Sequence, residues 1–212
     1  MQSCVRAGRA ALRYDVDMSR AALKAPATLA DWLALPGDAR VELLRGALTD
    51  RELTGPRHGR VMARLGSAVT RRFDRKPGGR WPGGWWIVVD VAVQFEEEVY
   101  LPDLAGWKRE RCPVFPSERP VATKPDWVCE ILSPSNARTD RVEKLRTYHR
   151  CQVPHYWLID PEEQTLTVLR YSPSGYVVAL TASADEAVKA EPFAEMEFPL
   201  RNLFADEPLD DE

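Results

Sequence analysis

The chain has 212 residues, 44% of them hydrophobic and 29% charged, an ordinary balance for a globular protein with one sizeable core or two small ones. No run approaches the ~18 apolar residues that span a membrane. Four widely spaced cysteines without a CxxC pair supply neither a disulfide framework nor a zinc finger, so a reducing, cytoplasmic setting is expected.

The formal net charge of −3 excludes a uniformly positive surface, but the charge is unevenly spread: Arg57 to Arg80 holds eight basic residues against Asp74 alone, and residues 206–212 carry five acids and no base. A charge run of this kind is usually a solvated helix face, and it is also the form a local phosphate-binding surface takes.

Residues 1–24 carry Arg6, Arg9 and Arg13 among alanines without an apolar h-region, so a disordered extension, or a true start at Met18, is expected rather than a secretory signal. "ATLADWLALP" has a Thr28-to-Asp31 capping pattern and stops at Pro36, which predicts a short helix. "RVELLRGALTDREL" predicts a hairpin turning near Gly46. From Pro56 to Lys76, Val61, Met62, Leu65, Ala68, Val69 and Phe73 recur at helical spacing, with the arginines elsewhere on the wheel. "WWIVVDVAVQF" reads as one strand, "VYLPDLAGWK" as a second and "DWVCEILS" as a third, followed by a helix over about 137–150. "HYWLID", "TLTVLRY" and "YVVALT" follow as strands joined by "PEEQ" and "SPSG" turns, and "FPLRNLF" closes the body. No internal repeat or linker divides the chain, so residues 25–205 are expected to form a single domain of mixed α/β or α+β class, followed by the acidic tail 206–212.

Glu130 is the first residue that this pattern does not explain. On an extended strand, Val128, Glu130 and Leu132 point one way and Trp127, Cys129 and Ile131 the other, so Glu130 is the one polar side chain of a strand apolar on both faces. A carboxylate there must be protonated, ion-paired with Lys or Arg, or bound to a cation. Asp103, in "VYLPDLAGW", is a second acid in an apolar segment. Two strands that bring Asp103 and Glu130 together would form a hard oxygen site suited to Mg²⁺ or Mn²⁺; the plainer reading of Asp103 is a turn residue beside Pro102. Asp126 is a weaker competitor, because the start of a strand is cheaply solvated. Asp140, Lys144 and Tyr148 share one face of the following helix, where Lys144 either reaches back over Glu130 or forms an exposed pair with Asp140. His149, Cys151 and His155 lie close in sequence but lack a fourth zinc ligand. His58 opens the basic helix, where it either contacts a phosphate or serves as a cap or surface residue. Trp81, Trp85 and Trp86 belong either to the core or to a base-stacking surface.

"LPDLAGW" together with "PDWVCEILSPSNARTDRVEKLRTYHRCQVPHYWLIDPEEQTLTVLR" resembles the Uma-type restriction endonucleases of the PD-(D/E)XK nuclease superfamily, and "VELLRGAL" with "PRHGRVMARL" is similar to that family's amino-terminal half. The resemblance runs from about Thr28 to Phe204. It implies a restriction-endonuclease-like core, a mixed central sheet flanked by helices, making 25–205 a nuclease-like domain. By similarity Asp103 and Glu130 would be catalytic acids and metal ligands, with the Ile131 carbonyl as a further ligand. Lys144 would be the catalytic lysine moved onto the helix, and Glu42 the amino-terminal acid.

Three positions depart from the pattern. Leu132 stands where the superfamily's E-x-K motif places lysine, Arg45 where relatives carry an acid or amide, and Gln152 replaces a glycine at an expected left-handed cap. What the resemblance implies is therefore a Mg²⁺- or Mn²⁺-dependent endonuclease acting on DNA phosphodiesters, with His58, Arg64 and Tyr148 as substrate contacts and no membrane association. The alternative is an inactive nuclease-fold module that binds nucleic acid or protein. A homodimer is an open possibility for the assembly.

Overall fold

Thr28 caps the first helix as the sequence requires. In the computed structural model, which describes residues 25–51, 54–134 and 137–205, its hydroxyl accepts from the Asp31 N–H while the Asp31 carboxylate accepts from the Thr28 N–H. The two terminal segments, 1–24 and 206–212, lie outside the described residues. Trp32, buried in α1 (Leu29–Leu33), donates to the Val41 carbonyl at 2.6 Å and docks the helix on β1 (Val41–Leu44). β1 pairs with β2 (Ala47–Asp50) through a two-residue turn in which Arg45 and Gly46 have φ of 50° and 75°. Positive φ at both positions is the type I′ turn common in hairpins, so the departure at Arg45 alters the side chain without altering the hairpin.

α2 (Pro56–Phe73) begins with proline at its first turn and buries Val61, Leu65, Val69 and Phe73, the stripe that the apolar spacing predicts.

Two sequence expectations are corrected. The run from Trp85 to Phe95 is two strands, β3 (Trp85–Val89) and β4 (Val93–Phe95). Asp90, at φ 51°, turns the chain between them, its carboxylate pairs with Arg40 and its N–H donates to the Asp103 carbonyl. Likewise "VYLPDLAGWK" divides into β5 (Glu98–Tyr100) and β6 (Leu104–Lys108), interrupted by Pro102, which has no N–H to give to a ladder. Each run contributes its halves to different sheets: β2-β1-β5-β4 form a four-stranded sheet, whereas β6 and β3 lie side by side at one edge of a six-stranded sheet. Asp103 therefore lies where the chain passes from the small sheet to the large one.

The large sheet is mixed. β7 (Trp127–Ile131) runs parallel to β8 (His155–Asp160), whereas β9 (Thr165–Arg170) and β10 (Val177–Ser183) continue antiparallel. Trp127, Cys129 and Ile131 pack into the core beneath α2, and Val128 packs into a second core with Phe95, Tyr148 and Tyr156. Both faces of β7 are thus covered, as its continuous apolar sequence implies. The β7-to-β8 crossover contains a π-helical segment, Thr139–Lys144, that runs into α3 (Leu145–Arg150). Such wide turns concentrate at functional sites. Gln152, after α3, is left-handed at φ 56°, as the sequence reading expects of a cap at this position. A short pair, β11 (Ala187–Val188) and β12 (Phe198–Pro199), and α4 (Arg201–Phe204) close the core over α2. No helix among the described residues is long and apolar enough to cross a membrane.

Candidate functional site

The hairpin, β6, β7 and the π-helical segment converge on one buried group of ionisable side chains. Glu130 is fully buried at the end of β7, and Asp103, Asp140, Lys144 and Glu42 are each less than a tenth exposed. Lys144 directs its ammonium at three acids: Glu42 at 3.0 Å, Glu130 at 3.1 Å and Asp140 at 3.3 Å. The shared face read from Asp140, Lys144 and Tyr148 is borne out. Lys144 reaches Glu130, the first of its two alternatives; its pair with Asp140 also forms but is buried, because Tyr148 carries that face inward.

Glu130 and Glu42 are held from a second direction, and Asp103 is held by contacts of its own. The Tyr148 hydroxyl donates to Glu130 Oε1 at 2.7 Å, and the Leu101 N–H donates to Glu42 Oε1 at 2.9 Å. Asp103 Oδ2 accepts from the Ile131 N–H at 2.7 Å and lies 3.1 Å from His58 Nε2. Asp103 is thus tied directly to the strand that carries Glu130, and the two acids meet on one side of the sheet.

Arg51, which the sequence reading did not single out, completes the group. Its guanidinium is buried, and Nη2 lies 2.5 Å from Asp103 Oδ1 and 4.0 Å from Glu130 Oε2. A signal was available: Glu42 faces Thr49 across the hairpin, and Arg51, two residues beyond Thr49, projects to the same side by strand alternation.

The electrostatics follow from burial. Loss of water pushes Glu130 up to about 8; Lys144 and Arg51 oppose the shift while Asp140 and Asp103 reinforce it. Asp140 is raised for the same first reason, burial. Burial would also raise Asp103, but the hydrogen bond from His58, the Arg51 charge and the Ile131 N–H together hold it below the usual carboxylate range. Burial opposes the charge of Lys144, yet Glu130, Glu42 and Asp140 outweigh it and keep the ammonium protonated well beyond its ordinary range.

Of the other residues expected to contact substrate, His58 is buried on Asp103 rather than capping α2 or lying on its surface, and Tyr148 is wholly buried on Glu130. Arg64 lies outside the group and donates to the Asn202 and Ala205 carbonyls at 3.1 and 2.6 Å. Asp126 is occupied elsewhere, by Arg111 and the Lys108 N–H. Trp85 is core, whereas Trp86 lies under the Arg109 guanidinium and Trp81 beside Arg72 and Arg80.

Four carboxylates (Glu42, Asp103, Glu130, Asp140) thus face two permanent cations (Arg51, Lys144), an excess of two negative charges when all are ionised. Glu130 Oε2 is buried without a hydrogen-bond donor, and Asp140 Oδ1 has only the Lys144 ammonium at 3.3 Å. This donor set fits a hard divalent cation at Asp103 and Glu130. Among the described residues no three His, Cys, Asp or Glu side chains form a group that could hold a metal ion, so a cation there would have only the two carboxylates. Mg²⁺, which keeps several of its own waters, is commonly bound in this way.

Comparison with known proteins agrees with this architecture. A crystal structure of "a putative nuclease belonging to DUF820" from Anabaena variabilis superposes with a TM-score of 0.65 at 23% identity, covering 84% of this chain and 98% of that one. No curated protein matches the chain. A family model described as "Uma2: Putative restriction endonuclease" matches residues 27–201. With that span matched, on a mixed sheet flanked by helices, the chain belongs to the Uma2 family.

Proposed function

We propose that this protein is a divalent-metal-dependent endonuclease that hydrolyses DNA phosphodiester bonds. The observation that carries the reading is the burial of four carboxylates with only two permanent cations, Arg51 lying against both Asp103 and Glu130 while Glu130 Oε2 lacks a donor. A divalent ion would supply the positive charge with which all four acids can ionise, and the family description supplies the reaction class. Bound there, Mg²⁺ or Mn²⁺ would supply Lewis-acid polarisation of the phosphodiester and of the attacking water.

The protein's own residues hold this chemistry in place. Tyr148 orients Glu130, while His58 and the Ile131 N–H orient Asp103; such supporting contacts fix ligand direction. Glu42 and Asp140 hold the Lys144 ammonium beside Glu130, where its charge offsets negative charge that develops on the phosphoryl oxygens. Lys144 in this role replaces the lysine missing at Leu132. Leu132 lies at the end of β7 with its N–H on the Ile159 carbonyl, an arrangement that needs no charged side chain. Hydrolysis joins the water oxygen to phosphorus, breaks one phosphorus–oxygen ester bond and delivers a proton to the leaving oxygen.

The basic stretch divides into two parts. Arg57 pairs with Glu162 at the surface, and Arg60 and Arg64 donate to the Ala205 carbonyl that follows α4, so these side chains already have partners within the protein. Arg71, Arg75, Lys76 and Arg80 lie exposed at the far end of α2 and in the loop after it. About 15 residues of helix separate that end from His58, roughly 22 Å, a distance that one duplex can bridge. Reversing Arg71, Arg75 and Arg80 to Glu is expected to weaken DNA binding and to flatten the slope of log affinity against log salt by roughly 0.9 for each phosphate no longer neutralised. An unchanged slope would return these residues to ordinary solvated surface.

The activity itself is tested on supercoiled, single-stranded and branched DNA with Mg²⁺ or Mn²⁺. Ion-dependent cleavage that disappears in Asp103→Asn is expected. DNA binding without cleavage of any substrate would favour the inactive module.

A further inference from the structure

Asp103 and Glu130 are both buried, and a cation of the protein itself lies near both. Arg51 Nη2 lies 2.5 Å from Asp103 Oδ1 and 4.0 Å from Glu130 Oε2, on the two acids that the proposed function assigns to the metal. The fit is poor: Arg51 Nε and Nη1 are buried without acceptors, and Glu130 Oε2 is buried without a donor. A guanidinium built as a permanent structural partner would use its planar fork on two oxygens at once, whereas here only one nitrogen engages. Arg51 also follows an edge strand. β2 pairs only with β1, and all four of its residues are exposed. The Arg51 backbone is tied back by its N–H to the Arg40 carbonyl at 2.8 Å, which leaves the side chain as the part that can withdraw.

We infer that Arg51 is an internal counter-cation that occupies the divalent-ion position in the ion-free protein and is displaced when the ion binds. This inference rests on the proposed metal site. The two positive charges cannot share the space between Asp103 and Glu130, so ion binding and Arg51 insertion are mutually exclusive. Withdrawal of the side chain also opens a path to the two acids from the edge of the hairpin. The displaced guanidinium, at the edge of the site, is then placed to meet a substrate phosphate. The coupling has a cost: part of the affinity for the ion is spent in expelling Arg51, and that fraction is recovered when the arginine is absent.

The experiment is calorimetric titration of Mn²⁺ into the full chain, comparing the parent, Arg51→Gln, Glu130→Gln and the double variant. Arg51→Gln is expected to bind Mn²⁺ roughly tenfold more tightly than the parent or better, and Glu130→Gln is expected to remove binding in both backgrounds. Equal or weaker binding by a folded Arg51→Gln protein, with binding by the parent still dependent on Glu130, would overturn the inference and leave the metal site standing. Absence of Glu130-dependent binding in both parent and Arg51→Gln would overturn the metal site and the inference together. If Arg51→Gln does not fold, the parent decides. The buried Arg51 Nε–H should give a nitrogen-15 NMR signal protected from solvent exchange that loses protection on addition of Mg²⁺. Protection that persists in the ion-saturated parent would overturn displacement.

Discussion

Glu130→Gln is expected to lower DNA cleavage by about 10³-fold or more and to remove a pH dependence of stability that the ion-free parent displays. Glutamine keeps the shape of the side chain and the Tyr148 contact, and Lys144 retains Glu42 and Asp140 as partners. In the parent, burial first, aided by Asp140 and Asp103, pushes Glu130 up to about 8, against about 4.3 in an unfolded chain. A folded-state value above the unfolded one means that the native protein binds the extra proton. That contribution is complete below about pH 4 and disappears as pH rises through 8, so stability of the ion-free protein should fall across this window by up to ~1.4 kcal/mol per unit. Asp140 is raised too and adds to the fall. Asp103 is held below its usual range, so its contribution has the opposite sign and is lost only in acid. Urea melts of ion-free parent and variant from pH 5 to 9 measure the difference. A parallel pair of curves would show that Glu130 does not carry the proton.

Lys144→Met should have the second large effect. It removes a buried ammonium lying within 3.3 Å of Glu42, Glu130 and Asp140 and leaves those acids without their central counter-charge. Breaking a buried pair in this way costs about 3–5 kcal/mol. Because Lys144 is held protonated far above its ordinary range, its contribution is fully present at neutral pH and would disappear only in strong alkali. The deficit of the variant should therefore follow the acids: small near pH 4, where they bind protons, and growing as pH rises. A deficit that does not vary with pH would indicate poorer packing around the lysine stem instead.

The features legible in the sequence were those encoded locally. The Thr28–Asp31 cap, the Arg45–Gly46 turn and the α2 stripe are written in adjacent residues, and each is present. The alternation along β7 correctly placed Glu130 on the face opposite Trp127, Cys129 and Ile131. The two divided strands were less legible, because an apolar run shows burial without showing which sheet does the burying. Asp90 and Pro102 mark the breaks, but each residue is also tolerated at the edge or end of a strand. Arg51 was the main omission. Its role depends on the pairing of β1 with β2 and on the approach of that hairpin to β6 and β7, neither of which is a local property. His58 was misread for a similar reason: a histidine at the start of a basic helix looks solvated until Asp103 arrives from 45 residues away.

The most direct test of the metal site is the thermal melting of parent and Glu130→Gln, each with and without saturating Mg²⁺ near pH 7.5. Ion binding to the native state alone stabilises by mass action, about 2.7 kcal/mol at a hundredfold excess over the dissociation constant. The parent should therefore melt at a distinctly higher temperature with Mg²⁺, and the variant should melt at one temperature under both conditions, no lower than the ion-free parent. An unshifted parent, together with a large loss of stability in the ion-free variant, would contradict the account and assign Glu130 to a structural ion pair with Lys144.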